Sequence, residues 1–124
     1  MDNTGRPWSK RCDFVLFNFF KNQIRVSCFE FKNESLPIDS IVDQLNASEA
    51  WLRSLNSTIK NYTNKCSKLY LSKFIISECK DPSNYLDNTQ KYLKKDGTIR
   101  HYSYKDIDGV CLDELDNASK VKIN

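Results

Sequence analysis

Histidine and paired cysteines are scarce in this sequence. It contains one histidine, His101, and five cysteines, which is an odd number, and no two of them are spaced as C-x-x-C. Structural zinc sites need closely spaced cysteine and histidine ligands, and disulfide scaffolds need an even set of cysteines. The composition therefore argues against both. Cys12 and Cys28 fall inside apolar strand patterns and are predicted to be buried thiols.

Long apolar runs are also missing. No stretch approaches the roughly 18 apolar residues of a transmembrane helix, and the polar residues 1–7 lack the apolar segment of a signal peptide. We therefore expect a cytoplasmic protein that does not bind membranes. N-x-S/T sequons point instead to a small secreted protein, but we interpret them as a product of composition. They occur at Asn33, Asn46, Asn56, Asn61 and Asn117.

The length and charge of the chain set only broad limits. Its 124 residues suffice for one domain with a substantial core, and a charged fraction of 28% is ordinary for a folded protein. The net charge is +3. Dedicated DNA-binding domains are usually more basic, so this charge permits nucleic-acid binding without arguing for it.

A β-hairpin is predicted near the start of the chain. Residues 12–20 and 23–32 are rich in the aromatic and β-branched side chains that suit strands. Asn22, between them, tolerates the positive φ of a tight turn. If residues 21 and 22 form the loop, counting outward along the strands places Asp13 directly opposite Glu30.

Two opposed carboxylates on an otherwise apolar face are unfavourable unless a cation neutralises them. Oxygens from Asp13, Glu30 and the backbone carbonyl of Phe31 suit Mg²⁺ or Mn²⁺, which usually keep several waters. Lys32 lies on the same face, where it can orient or polarise one of those waters. This is the chemistry of metal-assisted phosphodiester hydrolysis. The alternative is that these are two solvated carboxylates at strand ends.

The sequence Asp13…Glu30-Phe31-Lys32 resembles the D…(D/E)-x-K signature of the PD-(D/E)xK nuclease superfamily, which includes restriction endonucleases and Holliday-junction resolvases. The resemblance covers roughly residues 10–80. It implies one α/β domain over residues 1–124, with a restriction-endonuclease-like mixed sheet flanked by helices. It also implies a divalent metal and cleavage of nucleic acid, with DNA favoured over RNA. Many members carry a Gln or Lys on the next helix, and Gln44 is the matching position; the alternative for Gln44 is a solvated helix residue.

A second E-x-K sequence, Glu78-Cys79-Lys80, follows another apolar run, residues 70–77. A long helical segment precedes that run, so no hairpin places an aspartate opposite Glu78. We therefore prefer the first copy as the metal site.

The remainder of the chain predicts one long helix and several short elements. Apolar residues recur at helical spacing from residue 37 to about residue 59. With that helix as a crossover, a strand over residues 68–78 would lie parallel to the Glu30 strand. Further along we expect a short helix over residues 85–95, an edge strand over 99–104, a short element over 110–115 and a tail from Asp116.

Basic and aromatic residues gather in two places and are candidates for binding nucleic acid by phosphate contact and base stacking. A solvated helix end and an edge strand would explain the second group equally well. The candidates are Lys10 and Arg11 before the first strand, and Lys94, Lys95, Arg100 and Tyr102 near the edge strand.

The resemblance departs from the family pattern at the start of the chain. Cys12 stands where the motif has its proline, and nucleases of this fold usually begin with a helix that is not predicted here. The trimmed core leads us to expect a homodimer or a subunit of a larger complex. It also leaves a rival hypothesis, a catalytically inactive accessory protein that binds nucleic acid on the same fold.

Overall fold

A mixed five-stranded β-sheet organises the chain. The computed structural model describes residues 12–20, 22–63 and 68–123. The strands are β1 (Phe14–Phe20), β2 (Gln23–Lys32), β3 (Lys68–Ser77), β4 (Ile99–Ser103) and β5 (Val121–Lys122), and the helices are α1 (Ile38–Thr63) and the short α2 (Tyr104–Ile107). The described residues also include two 3₁₀ turns, at Pro82–Tyr85 and Leu112–Glu114. The mixed α/β class expected from the sequence is confirmed at this level.

The hairpin has the predicted register. β1 and β2 are antiparallel, with Phe20 opposite Gln23 and Val15 opposite Cys28. The ladder ends at the pair of Phe14 and Phe29. The strand expected from residue 12 therefore begins two residues later, and Asp13 lies just before β1.

Helix α1 is the crossover between two parallel strands. β2 and β3 pair in parallel over ten residue pairs, from Gln23–Lys68 to Lys32–Ser77. The helix begins after Pro37, whose carbonyl accepts the Ile41 N–H at 3.0 Å. This arrangement is the predicted one. Within the described residues, no helix combines the length and the hydropathy that a membrane span requires.

The sheet has an apolar core on each face. On one face α1 covers Val26, Cys28, Leu71 and Ile75 of the central strands. On the other face Phe29, Phe74 and Ile76 pack together, and residues 102–115 supply side chains that cover them. Because β3 is buried on both faces, apolar residues stand next to one another along it, as at Phe74, Ile75 and Ile76, rather than in strict alternation.

The short helix expected over residues 85–95 is wrong. After the turn Pro82–Tyr85 the chain forms an irregular loop with isolated bridges between Leu86 and Leu93 and between Tyr92 and Arg100. The Asp87 carboxylate accepts hydrogen bonds from both the backbone N–H and the hydroxyl of Thr89, at 3.1 and 2.6 Å. Such side-chain contacts offer the backbone a turn in place of a helix.

The tail expected from Asp116 is also wrong. The chain returns to the sheet as β5, which pairs antiparallel with the start of β3. Asn117 is 1% exposed, and its amide donates to the carbonyls of Lys73 and Thr98 at 2.8 and 3.0 Å. Asn117 thus fastens the C-terminal segment to β3. Of the remaining elements, β4 matches the expected edge strand, and the element expected over residues 110–115 is a 3₁₀ turn.

We predict that Asn117→Ala destabilises the protein by about 2 kcal/mol, because three hydrogen bonds are lost, one of them from the Ser119 N–H to Oδ1, and two carbonyls are left unpaired. Urea unfolding followed by circular dichroism measures the change. Asn88→Ala, in an exposed turn, is the matched control and should stay close to wild type. Equal midpoints for the two variants would show that the Asn117 hydrogen bonds contribute nothing to stability.

Candidate functional site

Asp13 is fixed to the end of β2 by a hydrogen bond. Its Oδ2 accepts the backbone N–H of Phe31 at 3.0 Å. This contact extends the hairpin beyond its last ladder pair and holds an exposed carboxylate beside Glu30. Asp13 and Glu30 were predicted to lie opposite each other as a strand pair. In the structure this side-chain hydrogen bond, not strand pairing, holds Asp13 beside Glu30.

Glu30 is a buried acid on the sheet face that α1 covers. The residue is 1% exposed, and within the described part of the chain neither carboxylate oxygen accepts a hydrogen bond of good geometry. Lys32 Nζ forms an ion pair with Oε1 at 3.2 Å. Burial raises the pKa of Glu30 above its usual range, the charge of Asp13 raises this pKa further, and Lys32 opposes the rise. Asp13 and Glu30 are therefore close enough to interact electrostatically.

Lys32 connects this buried acid to solvent. It lies two residues after Glu30, so both side chains point to the same face of β2, and the Lys32 side chain is 25% exposed. The cluster of Asp13, Glu30 and Lys32 consequently has a closed side at Glu30 and an open side at Asp13 and Lys32. We call it the carboxylate cluster.

Helix α1 supports the segment that leads into Asp13. Ser48 Oγ accepts the Cys12 N–H at 2.8 Å and donates to the Gln44 carbonyl at 3.1 Å. Gln44 lies one turn before Ser48, on the same side of the helix. Its Oε1 is buried and has no hydrogen-bond partner among the described residues. Gln44 thus has an unused acceptor on the part of α1 that faces the chain before Asp13.

The two predicted buried thiols interact with each other. Cys12 and Cys28 are both buried and reduced. A hydrogen bond from the Cys28 thiol, opposed by burial, lowers the pKa of Cys12 to about 7. The same contact, together with burial, raises the pKa of Cys28. Sequence reasoning placed each thiol in the core but missed this contact, because residue 12 lies before the paired part of β1.

The donors at the carboxylate cluster suit only a metal ion that takes few ligands from the protein. Within residues 12–20, 22–63 and 68–123 no three or more His, Cys, Asp or Glu side chains are grouped so that they could hold a metal ion. The cluster offers two carboxylates and the Phe31 carbonyl. Mg²⁺ is commonly bound through one or two carboxylates and retains several waters. Glu30 Oε2, which accepts no hydrogen bond from the described residues, fits this type of binding.

The candidate nucleic-acid residues are dispersed. Arg100 stacks on the rings of Tyr92 and Tyr102, with 4.3 Å from its guanidinium carbon to the Tyr102 centroid. Tyr102 packs with the core on the sheet face opposite Glu30. Lys95 forms an ion pair with Asp39. Lys94 is exposed, and Lys10 and Arg11 lie outside the described residues.

The second E-x-K sequence lies at the carboxyl end of β3. Glu78 and Lys80 are exposed and line a cavity of about 560 Å³ that also reaches β4. Beside it, Ser77 Oγ and His101 Nε2 are 2.8 Å apart. Burial lowers the pKa of His101, which keeps the ring neutral at physiological pH. Sequence reasoning missed this grouping because it depends on which strand lies next to β3.

We predict that Glu30→Gln changes how stability depends on pH. A carboxyl group whose pKa is raised by folding stabilises the protein below its ordinary value of 4.5, and this stabilisation is lost as the pH rises through the folded-state pKa. Gln is neutral and similar in shape. Without divalent ions, Glu30→Gln should unfold at a higher temperature than wild type at neutral pH, and the difference should shrink towards about pH 4.

Thermal unfolding across this pH range measures the difference. Glu114→Gln, at an exposed position, should follow wild type at every pH. A Glu30→Gln variant with the wild-type pH profile would contradict the raised pKa.

No protein-family model, curated protein or solved structure matches this chain. The resemblance to PD-(D/E)xK nucleases therefore rests on Asp13, Glu30 and Lys32 and on the order of the elements that carry them.

Proposed function

We propose that this chain is a divalent-metal-dependent nuclease of the PD-(D/E)xK type that hydrolyses phosphodiester bonds, with DNA as its preferred substrate. The observation that carries the proposal is the buried Glu30 carboxylate. Neither of its oxygens accepts a well-oriented hydrogen bond within the described residues; Lys32 forms an ion pair with Oε1 at 3.2 Å, and the charge of Asp13 acts on it. A buried carboxylate with few polar partners is unfavourable, and such groups are common where a cation or a reaction uses them.

The fit to a metal follows from the donor set. Asp13, Glu30 and the Phe31 carbonyl would hold Mg²⁺ or Mn²⁺, since hard divalent cations take oxygen ligands. When bound, such an ion lowers the pKa of coordinated water and offsets negative charge on the phosphate. Its charge would also relieve the repulsion between Asp13 and Glu30.

The side chains of the chain itself then have separate roles. Lys32, with an ammonium that reaches solvent, contributes positive charge to the phosphate and orients the attacking water. Gln44 has a buried amide oxygen free to support that arrangement. Asp13 is held by Phe31, so its carboxylate is positioned before any ligand arrives.

The order of elements supports the same proposal. An antiparallel hairpin carries Asp13 before its first strand and Glu30 near the end of its second strand. A crossover helix and a parallel strand follow. This is the connection that the resemblance implies around the D…(D/E)-x-K residues.

A rival function is an inactive accessory subunit that binds nucleic acid on the same fold. The small donor set and the near-complete burial of Glu30 favour it. An inactive scaffold has no need for divalent ions, so metal affinity separates the two proposals.

A homodimer is part of the proposal. β1 lies at one edge of the described sheet. Three phenylalanines on it are exposed, and Phe19 is 74% exposed. An edge strand with apolar side chains is a template for pairing with a second copy.

Substituting an exposed phenylalanine tests the dimer. We expect wild type to sediment as a dimer and Phe19→Lys as a monomer, because a charge on an edge strand opposes pairing. Val110→Lys, which changes an exposed apolar residue in a loop, should leave the dimer intact. A monomeric wild type would remove the dimer from the proposal.

Removing each member of the carboxylate cluster should have a distinct effect. We expect Mn²⁺ to raise the unfolding temperature of wild type but not of Glu30→Ala, because that variant lacks a metal ligand. Lys32→Ala should retain the Mn²⁺ effect yet lose on the order of 10²-fold or more in cleavage rate, since its positive charge acts on the phosphate. Cleavage of plasmid and oligonucleotide DNA with Mg²⁺ or Mn²⁺, and with chelator, provides the rate.

Matched substitutions elsewhere serve as controls. Glu114→Ala and Lys68→Ala remove the same charges at exposed positions away from the cluster and should retain both metal binding and cleavage. A wild type that neither binds Mn²⁺ nor cleaves DNA or RNA would replace the nuclease proposal with the accessory-subunit one.

A further inference from the structure

A cavity opens at the carboxyl ends of three neighbouring strands. It has a volume of about 560 Å³, within the usual range for a small-molecule site. Glu34 follows β2, Glu78 and Lys80 follow β3, and Tyr104 follows β4; all four line the cavity. Ligands of α/β proteins commonly bind at this edge of the sheet, because the loops there can carry polar groups without disturbing the core.

The cavity adjoins the carboxylate cluster. Lys32 pairs with Ser77 at the ends of β2 and β3, and the Glu78 N–H donates to the carbonyl of Asn33 at 3.0 Å. The negative charges of Glu78 and Asp13 both raise the pKa of Tyr104, after the larger effect of burial. The Tyr104 side chain itself packs against the core on the sheet face opposite Glu30, so the cavity lies at the end of the sheet, where the two faces meet.

The lining combines three kinds of group. Tyr104 provides a half-buried aromatic ring, Lys80 and Lys105 provide positive charge, and Glu34 and Glu78 provide carboxylates. An aromatic ring and lysines bind the base and the phosphate of an unpaired nucleotide. Carboxylates accept hydrogen bonds from exocyclic amino groups, which cytosine, adenine and guanine carry and thymine lacks.

An open depression continues beyond the tyrosine. Tyr104 and Lys105 line it together with Ile107, Asp108 and Gly109. The tyrosine and the lysine thus stand between two adjoining spaces. This arrangement suits successive nucleotides of one strand, with the lysine at the phosphate between them.

We infer that the cavity binds an unpaired nucleotide next to the cleaved bond, stacked on Tyr104 and selected by Glu34 and Glu78 for a base with an exocyclic amino group. The substrate class is thereby single-stranded DNA, or a single-stranded segment of a branched or frayed duplex. The position of this subsite beside the reaction rests on the proposed nuclease function. Its capacity to bind nucleotides does not.

Ser77 and His101, beside the cavity, have a different role. A serine bonded to a neutral histidine resembles a nucleophile and its base. Ser77 is 0% exposed, however, and its Oγ also accepts the backbone N–H of Cys79 at 3.3 Å. The pair therefore holds the ends of β3 and β4 in place beneath the cavity.

Fluorescence anisotropy in the presence of chelator tests the subsite without cleavage. The probes are short labelled single strands of thymidine alone and of thymidine alternating with deoxycytidine, together with a duplex. We expect the mixed strand to bind about tenfold more tightly than the thymidine strand, because a hydrogen bond to a charged group is worth about that factor. The duplex should bind more weakly than the mixed strand.

Substitutions assign this preference to the lining residues. Glu78→Ala should abolish the preference without weakening thymidine binding, since it removes an acceptor and a charge that repels phosphate. Lys80→Ala should weaken both strands and lower the salt dependence of binding. Tyr104→Leu should weaken both about tenfold through lost stacking. Lys68→Ala, at the opposite end of β3, should bind as wild type.

The outcomes separate this inference from the proposed function. Equal binding of the two single strands, tighter binding of the duplex, or wild-type behaviour of Glu78→Ala and Lys80→Ala would overturn the subsite. Both of these residues are exposed, so the result does not depend on whether Tyr104→Leu folds. A protein that shows the base preference but cleaves nothing with any divalent ion would retain the subsite and lose the nuclease function. If the protein cleaves DNA but the variants bind both single strands as wild type does, the nuclease function would be retained and the subsite lost.

Discussion

The parallel pairing of β2 with β3 is the constraint on which the rest of the structure depends. It brings Lys32 level with Ser77 and so sets the end of the Glu30 strand beside the strand that leads to Glu78. Such a pairing needs a crossover, and α1 supplies it while covering one face of the sheet. This one long-range pairing therefore places the carboxylate cluster and the cavity at the same end of the sheet, where β2 and β3 finish.

The hairpin could be predicted from sequence because its geometry is local. A two-residue loop fixes the register of the whole ladder, and the apolar face of β2 admits no slip by one residue. Asp13 and Glu30 could consequently be placed together by counting. The neighbours of β3 could not, since they depend on where β4 and β5 return to the sheet, and no local pattern specifies that.

The predictions for two segments were wrong because side-chain hydrogen bonds decide the structure there. Between residues 85 and 95 the apolar spacing suits a helix, but the Asp87 carboxylate takes up the hydrogen-bonding groups of Thr89 and stabilises a turn. Near the C-terminus, Asn117 looks like a solvated polar residue until Lys73 in β3 and Thr98, just before β4, supply two carbonyls for its amide. In both places the hydrogen bonds of one polar side chain decide the local structure.

The burial of Glu30 affects the stability of the protein and is also the basis of the proposed function. A buried carboxylate without hydrogen bonds costs about 1–3 kcal/mol or more, and a single lysine at 3.2 Å offsets only part of that. The protein can relieve the remainder by taking up a proton, which is the direction in which burial and Asp13 shift the pKa, or by taking up a cation. Protonation would make Glu30 a neutral acid that cannot act as a metal ligand, whereas a bound cation would form the metal centre that the proposed chemistry needs. Under the proposed function, the same burial that destabilises the charged form would favour binding of a divalent ion, and strain of this kind is typical of functional positions.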